Sequence, residues 1–155
     1  MKAKKLLVLL LLAISCIFAF AGCNNYTVMS RLKMYGVDTE LLSDGKVVCD
    51  VDGKTFTGRS TCYGVIAFND EPTDFLQSFK TDKSDGFSIE KSEKVEQKVG
   101  DFIANLDIPD EYIPNWSNEY IWYVSGGIDK MYFLNTLFLV YFPDTHRLAV
   151  LETGH

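Results

Sequence analysis

The chain has 155 residues, with 21 Asp and Glu against 15 Lys and Arg, a formal net charge of −6 and four cysteines. This length supports one compact domain rather than two. The acidic balance argues against nucleic-acid partners, because a negative surface repels phosphate backbones, and it favours a basic protein or a cation.

The first 22 residues have the organisation of a secretory signal peptide. Lys2, Lys4 and Lys5 precede an uncharged apolar run of 17 residues, Leu6 to Gly22. Small residues at the end of the run suit cleavage, and a short membrane span is the alternative interpretation.

The apolar run ends in "FAGC", Phe20 to Cys23, which resembles the lipobox of bacterial lipoproteins. The resemblance covers the first 23 residues only. It implies cleavage before Cys23, a thioether-linked diacylglyceryl group on that cysteine and often a further acyl chain, such as palmitate. Ordinary signal cleavage after Ala21 is the competing route.

With lipidation, we expect three segments. Residues 1–22 are the signal peptide, residues 23–25 are the lipidated cysteine and a short tether, and residues 26–155 form a single domain. The mature chain then has 133 residues, and loss of three lysines changes its formal net charge to −9. We expect this domain on the extracytoplasmic side of the bacterial cell membrane, with the lipid anchor as its membrane contact.

Cysteine parity supports lipidation, because cleavage without it would carry three cysteines into an oxidising compartment and leave one unpaired. If Cys23 is lipidated, Cys49 and Cys62 remain, and we expect them to form a disulfide. Two free buried thiols are the alternative.

The segment before residue 46 fits a helix or a strand equally well, and its type stays open. From Lys46 the alternation is strand-like, with Val47, Cys49 and Val51 on one face, and Asp52-Gly53 predicts a hairpin turn. That turn would place Phe56 opposite Cys49. A second tight turn would then separate the two cysteines by two strand spacings of about 4.8 Å each, beyond disulfide reach, unless a bulge or another strand order intervenes.

Two helices follow. A short one is predicted after Pro72, with an apolar stripe of Phe75, Leu76 and Phe79. A longer one begins near Ser88 or Ser92 and stops at Ile108-Pro109. Its apolar positions recur at helical spacing on one face: Val95, Val99, Phe102, Ile103 and Leu106.

The last third is rich in strand signals, "NEYIWYV", "KMYFLNTLFLVYF" and "RLAVLET", with a turn at Pro143-Asp144 joining an antiparallel pair. The central run is mostly apolar, as expected for an interior strand. The chain therefore predicts an α+β fold, an antiparallel sheet with one main amphipathic helix packed on one face.

Catalytic residues are scarce, since the chain has only two histidines, His146 in the predicted turn and His155 at its end. His146 fits a solvated residue of an exposed turn better than a catalytic base, and two histidines with two paired cysteines do not readily build a closed zinc site. We expect no catalytic residue, no metal and no cofactor, and therefore a protein that is not an enzyme.

One stretch, "EYIPNWSNEYIWY", is dense in aromatic residues, which anchor protein contacts and stack on sugars. Strand alternation places Tyr120 and Trp122 on one face and Ile121 and Tyr123 on the other, so one of these two pairs belongs to the core. Trp116, in a loop after Pro114, is the strongest surface candidate. The predicted ligand-binding residues are Tyr112, Trp116, Tyr120 and Tyr123.

These features predict a membrane-anchored lipoprotein that acts as a non-enzymatic binding module for a protein or a cell-envelope ligand. The alternative is an acidic periplasmic or surface inhibitor that protects against a cationic hydrolase, favoured by the net charge of the mature chain. Salt separates the two, because association steered by charge slows as ionic strength rises.

Overall fold

The computed structural model describes residues 27–54, 60–79, 86–125 and 136–154. The predicted signal peptide, Cys23 and the tether lie outside these residues, as does His155. The described residues form a six-stranded antiparallel sheet with several short helices. The α+β class predicted from the sequence is confirmed.

All neighbouring strands of the sheet are antiparallel, and their spatial order is β1-β2-β6-β5-β4-β3. The hairpin between β5 and β6 turns at Pro143, where the sequence predicted it. The strands are β1 (Lys46–Lys54), β2 (Ser60–Ala67), β3 (Gly86–Ser88), β4 (Ile121–Val124), β5 (Thr136–Phe142) and β6 (Arg147–Gly154).

The described residues include three α-helices and three short 3-10 helices, and the first helix of each kind precedes β1. None of the helices in the described ranges is long and apolar enough to span a bilayer. The α-helices are α1 (Val28–Met34), α2 (Thr73–Phe79) and α3 (Glu93–Ile103), and the 3-10 helices are Thr39–Leu42, Asp110–Tyr112 and Pro143–Thr145.

The sheet is buried on both faces, and all seven residues of β5 are buried. On one face, here called the α3 face, the helix α3 and the chain up to Trp116 pack over Val65, Val140 and Leu151. The opposite face, here called the α1 face, is covered by α1, the 3-10 helix Thr39–Leu42 and α2. The main helix packs on one face as predicted, and a second layer of shorter helices lies on the other.

The helix α3 uses the apolar stripe that the sequence predicted. Val95 and Val99 are fully buried, and Phe102, Ile103 and Leu106 pack partly buried against the same core. The helix ends at Ile103, earlier than the predicted stop at Ile108-Pro109. Ser92 is its N-cap residue, although its side chain makes no capping hydrogen bond. The backbone N–H of Ser92 donates instead to the Tyr120 hydroxyl at 2.8 Å.

The predicted hairpin turn at Asp52-Gly53 is wrong. These two residues continue β1, whose last residue Lys54 pairs with Ser60, and Phe56 lies outside the described residues. A register shift between Val47 and Cys49 marks a β-bulge. Because a bulge reverses the alternation of faces, Val47 packs on the α1 face and Cys49 on the α3 face.

The predicted Cys49–Cys62 disulfide is absent, and both cysteines are free and buried. Cys49 pairs with Val65, whereas Cys62 pairs with Asp52 three residues along the strand. Cys49 belongs to the α3-face core, and the register places Cys62 on the opposite face, so the two side chains diverge. Burial, together with Asp52 and Glu152, raises the pKa of Cys62 to about 12, which keeps this thiol protonated and unreactive.

Helix α1 sits tightly on β2, because a Cβ atom at Gly64 would collide with Cγ2 of Val28. The same helix carries a buried arginine. Arg31 is 2% exposed, and its guanidinium pairs with Asp50 at 2.8 Å and with Asp52, while Glu152 lies 3.7 Å from its Nε. This network of one cation and three carboxylates joins α1 to β1 and β6.

We predict that Arg31→Met destabilises the domain by about 2 to 4 kcal/mol, because Glu152 and Asp50 lose the cation that offsets their partial burial. Lys33→Met makes the same chemical change on the exposed side of the same helix and should alter stability by less than about 0.5 kcal/mol. Urea unfolding of both variants measures the difference. Equal stability of the two variants would show that the Arg31 network does not hold α1.

Candidate functional site

A cavity of about 250 Å³ opens on the α3 face, between the sheet and the segment of residues 110–118, here called the roof. The roof contributes apolar, amide and carboxylate side chains, and three strands contribute the floor. The lining residues are Tyr63, Val65, Asp110, Glu111, Tyr112, Ile113, Pro114, Asn115, Asn118, Phe142, Thr145, Arg147 and Ala149.

The floor of the cavity is built by strand register. Val65 of β2 pairs with Ala149 of β6, and Phe142 at the end of β5 pairs with Arg147 at the start of β6. Because side chains alternate along a strand, Val65, Phe142 and Ala149 all join the α3-face core. The result is an apolar floor with one arginine at its edge.

The roof is tied to the sheet by two side chains. The Tyr63 hydroxyl donates to the backbone carbonyl of Tyr112 at 2.6 Å, and Arg147 Nη1 donates to the carbonyl of Glu111 at 2.7 Å. These bonds hold two adjacent carbonyls of the 3-10 helix Asp110–Tyr112, and Lys91 donates to the carbonyls of Trp116 and Ser117 near the other end of the roof. The cavity is therefore preformed rather than dependent on a free loop.

Burial, with a smaller contribution from Cys49, raises the pKa of Tyr63. The hydroxyl therefore stays protonated at neutral pH and keeps its role as a donor to the roof. The Tyr63 hydroxyl is therefore already used in the hydrogen bond to the Tyr112 carbonyl.

Arg147 is half-buried at the cavity edge, and its guanidinium carbon lies 5.4 Å from the centroid of the Tyr112 ring. Within the described residues, no carboxylate forms an ion pair with it. Asp110 and Glu111 line the same cavity but are exposed. Arginine stacked on an aromatic ring keeps the edge of its guanidinium available for further hydrogen bonds.

The four predicted ligand-binding aromatics do not share one surface. Tyr120, one of the predicted ligand-binding residues, is buried, and its hydroxyl donates to Glu96 at 2.9 Å. Tyr123 packs against the core of the opposite face. Strand alternation across β4 separates these two tyrosines.

Tyr112 and Trp116 stay together on the α3 face, both partly buried. Tyr112 lines the cavity, whereas Trp116 lies beside it. The centroid of the Trp116 ring lies 5.3 Å from that of Tyr120, in an edge-on arrangement, and 5.9 Å from that of Phe142. Trp116 therefore supports the back of the cavity instead of forming an open patch.

His146 ends the 3-10 helix after β5 in a left-handed conformation, with φ 49°. Its Nδ1 lies 3.1 Å from the carbonyl oxygen of Asn69, and it is not among the cavity residues. In the described parts of the chain, no group of three or more His, Cys, Asp or Glu side chains is arranged to hold a metal ion.

Of the thirteen lining residues, only Tyr112 was predicted from the sequence to bind a ligand, and Arg147, Tyr63 and Asn118 are among those that were missed. Arg147 opens the strand "RLAVLET", Tyr63 lies inside an apolar strand, and Asn118 is one of several loop asparagines. Only Arg147 carried a signal, as a charged residue directly after the predicted turn and before an apolar strand. Its hydrogen bond to the carbonyl of Glu111, 36 residues away, depends on tertiary structure.

No protein family, curated protein or solved structure shows significant similarity to this chain. The role of the cavity is therefore inferred from its own residues.

We predict that Tyr63→Phe lowers the free energy of unfolding by about 1 kcal/mol, because the Tyr112 carbonyl loses its donor. Tyr141→Phe is the matched control. The Tyr141 hydroxyl is buried, and no hydrogen-bond partner for it occurs among the described residues. Its removal should be neutral or stabilising. Thermal or urea unfolding measures both, and a neutral Tyr63→Phe would show that the roof is not tied down by this hydroxyl.

Proposed function

We propose that this protein is a membrane-anchored lipoprotein whose domain binds a ligand of the cell envelope, without catalysis, in the cavity beneath the roof. The observation that carries the proposal is the preformed cavity itself. Two separate hydrogen bonds tie the roof to the sheet over an apolar floor. A binding site with fixed walls spends little conformational entropy when its ligand enters.

The lining chemistry supports recognition of a small polar group with an apolar part. Aromatic and aliphatic walls supply contact area, and Asn115, Asn118 and Thr145 supply hydrogen-bonding groups around the opening. The described lining includes no His, Cys, Ser or Lys. Such a surface is suited to binding.

The lipobox-like sequence at Cys23 supports the anchor. Four peptide units separate Cys23 from Thr27, the N-cap of α1, and an extended chain spans at most about 3.5 Å per residue. The start of the domain would then lie within about 14 Å of the bilayer surface, which favours ligands near the membrane. Mass spectrometry showing a mature protein that begins at Gly22 with an unmodified Cys23 would contradict the anchor.

The inhibitor interpretation has one observation in its favour. Ile113 is 46% exposed, in an extended conformation beside the exposed carboxylates of Asp110 and Glu111. An exposed apolar residue flanked by negative charge suits insertion into a cationic cleft. Association with such a target would slow strongly as salt rises, whereas binding inside the cavity would respond weakly.

We predict that Asn118→Trp blocks ligand capture, because a large side chain at this partly buried position fills the cavity opening. The control is Ser117→Trp, which adds the same side chain at the adjacent exposed position outside the lining. The mature protein in detergent is immobilised, incubated with an extract of the native envelope, and the retained material is identified by mass spectrometry.

Wild type and Ser117→Trp should retain the same ligand, and Asn118→Trp should lose it by at least about tenfold. If Asn118→Trp retains the ligand as wild type does, the cavity is not the binding site. If the ligand is retained only at low salt and by all three proteins, the inhibitor interpretation is favoured.

A further inference from the structure

We infer that the ligand presents a single carboxylate to Arg147 and an apolar group to the floor formed by Val65, Phe142 and Ala149. This inference rests on the proposed function and names the chemistry of the ligand. It is carried by the contrast between the two arginines of the described structure.

The two arginines differ in how their charges are satisfied. Arg31 is buried and has three carboxylates around it. Arg147 has a backbone carbonyl and an aromatic ring as partners, and no carboxylate pairs with it in the described ranges. In a chain with 21 acidic side chains, a half-buried cation with this environment leaves room for an external anion.

The fixed position of Arg147 suits recognition of a carboxylate. The Glu111 carbonyl takes one N–H of Nη1, and the Tyr112 ring lies against the guanidinium. A guanidinium has five N–H donors in a planar fork, so others remain for a ligand. Two parallel N–H groups match the two oxygens of a carboxylate, and the existing contacts hold the fork in place.

The floor requires an apolar group next to that carboxylate. Val65, Phe142 and Ala149 are buried core residues that also line the cavity. A volume of about 250 Å³ is small for an organic ligand, and it accommodates one aliphatic side chain with its backbone. The C-terminal residue of a peptide has both features, a free carboxylate and an adjacent side chain.

Asp110 and Glu111 set a limit on the negative charge of the ligand. Both carboxylates are exposed on the roof, where solvent and salt screen them. They tolerate one negative charge paired with Arg147, but they disfavour a second one at the opening. The site should therefore select a monocarboxylate over inorganic phosphate, which carries more charge near neutral pH.

The test uses the full mature protein in detergent and two small probes, N-acetyl-L-leucine and N-acetyl-L-leucinamide. The probes have the same apolar group, and only the first has a carboxylate. Binding is followed by NMR shifts of the roof amides and by tryptophan fluorescence, to which Trp122 contributes as well as Trp116, whose ring contacts the cavity residue Phe142. The carboxylate probe should bind about tenfold more tightly than the amide.

Variants assign that preference to Arg147. Arg147→Gln should abolish it, and Arg147→Lys should retain part of it, because lysine keeps the charge but lacks the fork. Lys33→Gln removes a positive charge from the exposed side of α1 on the opposite face of the sheet, and it should leave the preference unchanged.

Three results would overturn the inference. The first is equal binding of the two probes in the cavity, which leaves the proposed binding function standing. The second is that neither probe binds. The third is displacement of N-acetyl-L-leucine by inorganic phosphate at equal concentration. Because the comparison of probes is made in the wild-type protein, it decides the question even if Arg147→Gln unfolds. Loss of ligand capture by Asn118→Trp tests the binding function separately.

Discussion

The burial of the sheet on both faces is the constraint on which the rest of the structure depends. Every residue of β5 is buried, so neither face can be left to solvent. One layer comes from α3 and the chain that follows it, and the other from α1, the 3-10 helix Thr39–Leu42 and α2. A chain this short covers two faces only with small elements, and the roof is one of them.

The two arginines of the described structure secure these two layers in different ways. Arg31 is surrounded by carboxylates and joins α1 to β1 and β6. Arg147 fixes the roof through a carbonyl and an aromatic ring, which holds the side chain while leaving its charge without a carboxylate in the described residues. The same contact that closes the α3 face therefore creates a charged edge beside an apolar floor.

Elements with a strong local signal were predictable, whereas contacts that depend on register were not. The stripe of Val95 and Val99 predicted α3, and the apolar central run "KMYFLNTLFLVYF" predicted an interior strand, of which β5 is the described part. Cys49 and Cys62 were misplaced because Asp52-Gly53 favours a turn locally, yet pairing with Thr61 and Cys62 keeps these residues in β1. The aromatic cluster was visible, but which of its members is buried follows from β4 lying inside the sheet. The cavity is lined by residues that are distant in sequence, so no local sequence pattern predicts it.

The most direct test of the central claim is photo-crosslinking in intact cells, with benzoylphenylalanine placed at the exposed Ser117 beside the cavity or at Lys33 on the opposite face. The account predicts a light-dependent adduct from position 117, recovered in the membrane fraction, and no equivalent adduct from position 33. An adduct from position 33 without one from position 117 would contradict it, because ligand recognition would then lie away from the cavity.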